Sequence, residues 1–91
     1  MTFVDVLSEI NLPNAFSTDG KRRVYEIPDS DEFSHIASSF DRSNKFEEDL
    51  DSQDINLFTN KIVYIDIDGE VECTLFANFE KDEYSLTIED I

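Results

Sequence analysis

The feature that most constrains this chain is its C-terminal third, where three β-prone runs, near 56–67, 70–79 and 84–90, are separated by Asp68-Gly69 and by the loop 80–83. Runs of this length with turn chemistry between them predict an antiparallel meander. Upstream, Phe3, Val6, Leu7 and Ile10 recur at helical spacing behind a capping-box-like Thr2 and Asp5, and Pro13 stops continuation. A short helix over 2–11 is expected, then a turn at Asp19-Gly20 and a strand over 22–27, ended by Pro28. From Asp29, with Glu32 three residues on, Phe33, Ile36, Ala37 and Phe40 predict a second helix ending near Arg42. Residues 43–54 read as a polar linker in which Phe46 and Leu50 could dock one more helical turn. The order αβαβββ predicts an α+β fold, two short helices packed on one face of an antiparallel sheet, as a single domain over 1–91.

Register decides what each face of the meander carries. A two-residue Asp-Gly turn pairs Ile65 with Glu72 and mixes apolar with charged side chains on one face. A three-residue loop of Ile67, Asp68 and Gly69 pairs Ile65 with Val71 and sorts the faces. The sorted register is the one expected. It places Val63, Ile65, Val71, Cys73, Leu75, Ala77, Phe79, Tyr84, Leu86 and Ile88 in the core. The other face then shows Tyr64, Asp66, Glu70, Glu72, Thr74, Phe76, Thr87 and Glu89, an acidic surface with aromatic anchors suited to Arg- and Lys-rich groups.

Charge narrows the function classes. Asp and Glu number 22 against seven Lys and Arg, a net charge of −15, while 40% apolar residues, including eight Phe and three Tyr, require a folded core beneath it. Residues 1–46 hold eight acids and five bases, and residues 47–91 hold fourteen and two. Such a field favours basic partners and disfavours direct contact with nucleic acid or anionic lipid. One Cys and one His supply too few ligands for a structural zinc, and the start of the chain lacks a basic, apolar signal pattern, so a cytoplasmic protein with no membrane span and no cofactor is expected.

Individual motifs point the same way. The run IVYIDIDGE, residues 62–70, resembles the strand and Asp-x-Asp-Gly motif of haloacid-dehalogenase-like phosphatases, which implies Asp66 as nucleophile, Asp68 as general acid and Mg²⁺ between them. Glu70 departs from the Thr or Val of that pattern, and the 21 residues after it cannot supply the remaining strands with their Lys and Asp. The reading of Asp68-Gly69 as a turn is preferred. The same residues miss EF-hand spacing. Lys21, Arg22 and Arg23 form one short basic cluster that is best taken as a partner for local acids. His35 is expected on the helix surface and Cys73 as a core filler.

No catalytic or metal constellation is therefore expected. The contact surface is assigned to Glu47, Glu48, Asp49, Asp51, Asp54, Tyr64, Asp66, Asp68, Glu70, Glu72, Phe76 and Glu89. The chain is read as a non-enzymatic inhibitor that mimics nucleic acid in the basic groove of a nuclease or related complex. In size, charge and lack of a catalytic set it resembles, as a class, the anti-CRISPR and anti-restriction proteins of phages and mobile elements. The alternative is an immunity protein or antitoxin that neutralises a cognate toxin such as a nuclease, and under either reading homodimerisation through a sheet edge is left open.

Overall fold

The computed structural model describes residues 17–19 and 22–91 of the chain. The helix expected from Asp29 forms as α1, Ser30–Arg42, because the Asp29 carboxylate accepts the Glu32 N–H at 2.8 Å. Asp31 and Glu32 occupy the first turn and Arg42 the last, each at the end where the helix dipole favours its charge. Phe33, Ile36 and Phe40 share the buried stripe. The Ser43 N–H closes the helix on the carbonyls of Ser39 and Phe40. The helix expected over 2–11 lies outside the described residues.

Among the described residues, seven strands make one antiparallel sheet: β1 (Ser17–Asp19), β2 (Arg22–Ile27), β3 (Phe46–Glu48), β4 (Asp54–Ile55), β5 (Thr59–Asp66), β6 (Val71–Asn78) and β7 (Glu83–Asp90). Their spatial order is β1-β2-β7-β6-β5-β3, and β4 pairs with β5 beside β3. The C-terminal meander and the strand at 22–27 form as expected, and the fold is α+β. The linker 43–54 is helical only in a single 3-10 turn, and Phe46 and Leu50 do not dock it as a pair. It becomes β3, a 3-10 turn at Leu50–Ser52 and β4, which together cover the outer edge of β5. The reason is visible in Phe46, which packs edge-on against Phe40 at 5.0 Å while Leu50 stays in solvent, so the pair never shares a helical stripe.

The core lies between α1 and one sheet face, where Tyr25, Ile27, Val71, Cys73, Leu75, Ala77, Tyr84, Leu86 and Ile88 meet the three helix residues. Aromatic clusters bolt both ends of α1. Phe33 contacts Phe79 and Tyr84 at 6.4 and 5.7 Å, while Phe40 contacts Phe46 and stacks on Tyr64 at 4.5 Å with an interplanar angle of 9°. Pairs of this kind add about 0.5–1.5 kcal/mol each beyond the area they bury.

The β5–β6 register overturns the expected one. Ile65 pairs with Glu72 and Tyr64 with Cys73, so Ile62, Tyr64 and Asp66 turn toward α1 while Val63 and Ile65 turn away. The turn contains four residues, 67–70, with Gly69 at φ 71° and its N–H donating to the Asp66 carbonyl at 2.9 Å. Residues 62–65 are apolar at every position, so alternation does not select a face. Satisfaction of Asp66 decides instead, because its Oδ1 accepts the N–H groups of Glu70 and Val71 at 2.7 and 2.9 Å. Of the expected core, Val63 is buried on the opposite face, Ile65 is half-buried there, and Phe79 is partly exposed.

Candidate functional site

The twelve candidate residues separate into three groups. Tyr64 and Asp66 leave the proposed contact surface altogether, being 2% and 3% exposed on the helix side. Glu47, Glu72, Phe76 and Glu89 lie on the face turned away from α1, since Glu47 pairs with Ile65, Ile65 with Glu72, and Glu72 with Glu89. Glu48 faces the helix side but is exposed at the sheet edge, opposite Tyr64. Asp51, Asp54, Asp68 and Glu70 are exposed in turns or at edges, and Asp49 is half-buried.

Tyr64 and Asp66 are structural. The Tyr64 hydroxyl donates to Asp41 Oδ1 at 2.9 Å, and burial, followed by that hydrogen bond, pushes the phenol pKa well above its ordinary value. Burial alone would raise the Asp66 carboxyl. The Val71 and Glu70 N–H bonds lead the interactions that instead hold it below the usual carboxylate range. An anchor ring already stacked on Phe40 cannot meet a partner, and a carboxylate already bonded to its own turn is a staple. The same geometry separates the two acids of the Asp-x-Asp-Gly run, one buried toward α1 and the other exposed in the turn. Cys73 is fully buried, and burial pushes its thiol up. His35 is exposed on α1, as expected.

What remains is acidic and distributed along the two ends of the strands. At the turn end, Glu47, Ile65, Glu72 and Glu89 form one cross-strand row, with Asp68 and Glu70 in the adjoining loop. Beside it, Glu47, Glu48, Asp49 and Asp66 help line an open groove of about 330 Å³. Neighbouring strands are about 4.8 Å apart, which sets Glu72 directly opposite Glu89, while Arg22 stands opposite Glu89 on its other side. At the other end, Phe76, 38% exposed, lies with Glu26, Asp82 and Glu83 in an open pocket of about 480 Å³. A hydrogen bond to Asp82 is the first of the causes that raise the Tyr84 phenol in this pocket. Between the two ends the face is less open: Val24, Thr87 and Thr74 are half-buried and Val63 is buried. The single acidic and aromatic surface expected from sequence is thus two rims.

One surface feature escapes sequence reasoning. Ile55, Leu57 and Phe58, at and beside the β4–β5 hairpin tip, are exposed, as is part of Phe79 next to them. The signal lies in the apolar residues of the run INLF, which reads as the start of a strand as long as β4 is not visible in the sequence.

Among the described residues, no group of His, Cys, Asp and Glu could hold a metal ion, and no helix is long and apolar enough to cross a membrane. Comparison with protein families, with curated proteins and with solved structures gives no match.

Proposed function

We propose that the chain is a non-enzymatic acidic inhibitor that occupies the basic DNA- or RNA-binding groove of a nuclease or related complex, in the manner of anti-CRISPR and anti-restriction proteins. The observation that carries this reading is the cross-strand row of Glu47, Glu72 and Glu89, continued by Asp68 and Glu70. A sheet fixes such carboxylates at strand spacing, so little ordering entropy is lost when they replace phosphates opposite Lys and Arg. Like charges kept side by side cost stability, and a net charge of −15 extends that cost over the whole molecule. Attraction for a basic groove offsets both.

The test is capture of binding proteins on the immobilised chain at low and high salt, followed by competition with DNA and RNA. The expected result is a nucleic-acid-binding protein that salt releases and nucleic acid displaces. Glu47→Lys with Glu72→Lys should abolish that binding at unchanged melting temperature. Undiminished binding by this double variant sinks the proposal. Phe76 and the apolar hairpin tip favour a second reading, an immunity protein or antitoxin holding one toxin through apolar anchors. A single partner retained at high salt and indifferent to nucleic acid distinguishes it.

A further inference from the structure

The tip of the β4–β5 hairpin holds Leu57 at 83% and Phe58 at 54% exposure. Its backbone is nonetheless closely tied down. The Asn56 N–H donates to the Thr59 carbonyl at 2.9 Å, Asn56 Oδ1 accepts the N–H groups of Phe58 and Thr59 at 3.0 and 2.9 Å, and Asn56 Nδ2 donates to Thr59 Oγ1 at 2.9 Å. The Phe79 N–H then donates to the Phe58 carbonyl at 2.9 Å, which sets the partly exposed Phe79 beside the tip. Ile55, also exposed, precedes it. A cluster of exposed apolar residues at one hairpin signals an interaction, and a hairpin already fixed in shape loses little freedom on docking.

We infer that Leu57 and Phe58 are an anchor that inserts into an apolar pocket of the protein partner, and that Lys and Arg rim this pocket. Charge selects the occupant. Asp51 and Asp54 lie just before the tip in the chain and Glu80 follows Phe79; Lys61, opposite Asp54, and Lys81 offset part of this charge, so the selection comes from the net charge of the molecule. A second copy of the chain, itself at −15, would bring like charges together, and an anionic membrane would do the same. A basic-rimmed protein pocket satisfies the apolar tip and the net negative charge of the molecule at once. The inference rests on the proposed inhibitor role for the kind of protein bound, and it adds the contact that salt does not weaken.

The experiment places p-benzoylphenylalanine at position 58 of the full chain, cross-links it in lysate of the source cells and maps the adduct. The partner so identified is purified and titrated with the wild-type protein, with Leu57→Ser/Phe58→Ser, with Leu57→Ala and with Glu47→Lys/Glu72→Lys. The expected adduct lies in an apolar pocket flanked by Lys and Arg of a nucleic-acid-binding protein. The double Ser variant should bind it about 30-fold more weakly or worse, and Leu57→Ala should fall between it and wild type, as for anchor residues at an interface centre. Both should melt within about 2 °C of the wild type, since exposed side chains add little stability. Cross-linking to a second copy, to lipid or to nothing overturns the inference, as does undiminished affinity of the double Ser variant. If charge reversal leaves affinity intact while the tip variants lose it, the nucleic-acid-mimic reading fails and the anchor stands. The opposite pattern removes the anchor and keeps the mimic.

Discussion

Asp66 shows how a single carboxylate can be buried because the backbone needs it. Its Oδ1 takes the Glu70 and Val71 N–H groups that the four-residue turn would otherwise leave unpaired. Asp66→Ala should therefore cost about 3 kcal/mol in urea unfolding at pH 7, as expected for losing hydrogen bonds to a charged group. The folded carboxyl titrates below its ordinary value, so its contribution is complete above the unfolded pKa of about 4 and is lost as pH falls through the folded value. The gap between wild type and variant should accordingly narrow toward pH 3; a constant gap would mean that the charge is immaterial. Tyr64→Phe is a milder change. Its ring keeps the stack on Phe40, and the exposed Asp41 can turn to water, so a loss of about 0.5–1 kcal/mol is expected by the same measurement.

At the scale of elements, α1 is held to the sheet by rings at both ends, and its C-terminal clamp is Phe40 between Phe46 and Tyr64. Removing that ring empties space at the centre of three elements. Phe40→Ala should cost about 3–5 kcal/mol, whereas Phe76→Ala, on the face turned away from α1 and part-exposed, should cost about 1 kcal/mol. Comparable losses in chemical denaturation would show that the face turned away from α1 is packed as tightly as the core. The helix itself was legible because its cap, its acidic first turn and its apolar stripe all lie within thirteen residues. β3 and β4 were not. Three- and two-residue strands carry too little pattern to show themselves, and they exist because β5 has an edge to be paired.

Over the whole molecule, excess negative charge opposes compactness. Raising salt from about 0.1 M to about 1 M shortens the screening length from about 10 Å to about 3 Å. The melting temperature should rise over that interval, and a flat response would show that the carboxylates do not strain the fold. Partner binding through the acidic row should weaken over the same interval, so stability and affinity are expected to move in opposite directions with salt. That opposition marks charge kept for recognition.

The amino-acid sequence by itself determined α1, the strand at 22–27, the meander and the acidic character of the surface. These depend on local capping, on apolar spacing within one element and on composition, all of which act over a few neighbouring residues. Only the tertiary structure decided which way β5 faces, and with it the fate of Tyr64 and Asp66. A strand apolar at every position from 62 to 65 can present either face, and the choice fell to partners distant in the chain or made by the turn itself. Phe40 and Asp41 took the tyrosine, and two backbone N–H groups took the aspartate. The exposed hairpin tip has the same origin, since Leu57 and Phe58 are apolar in sequence but project only because β4 pairs with β5.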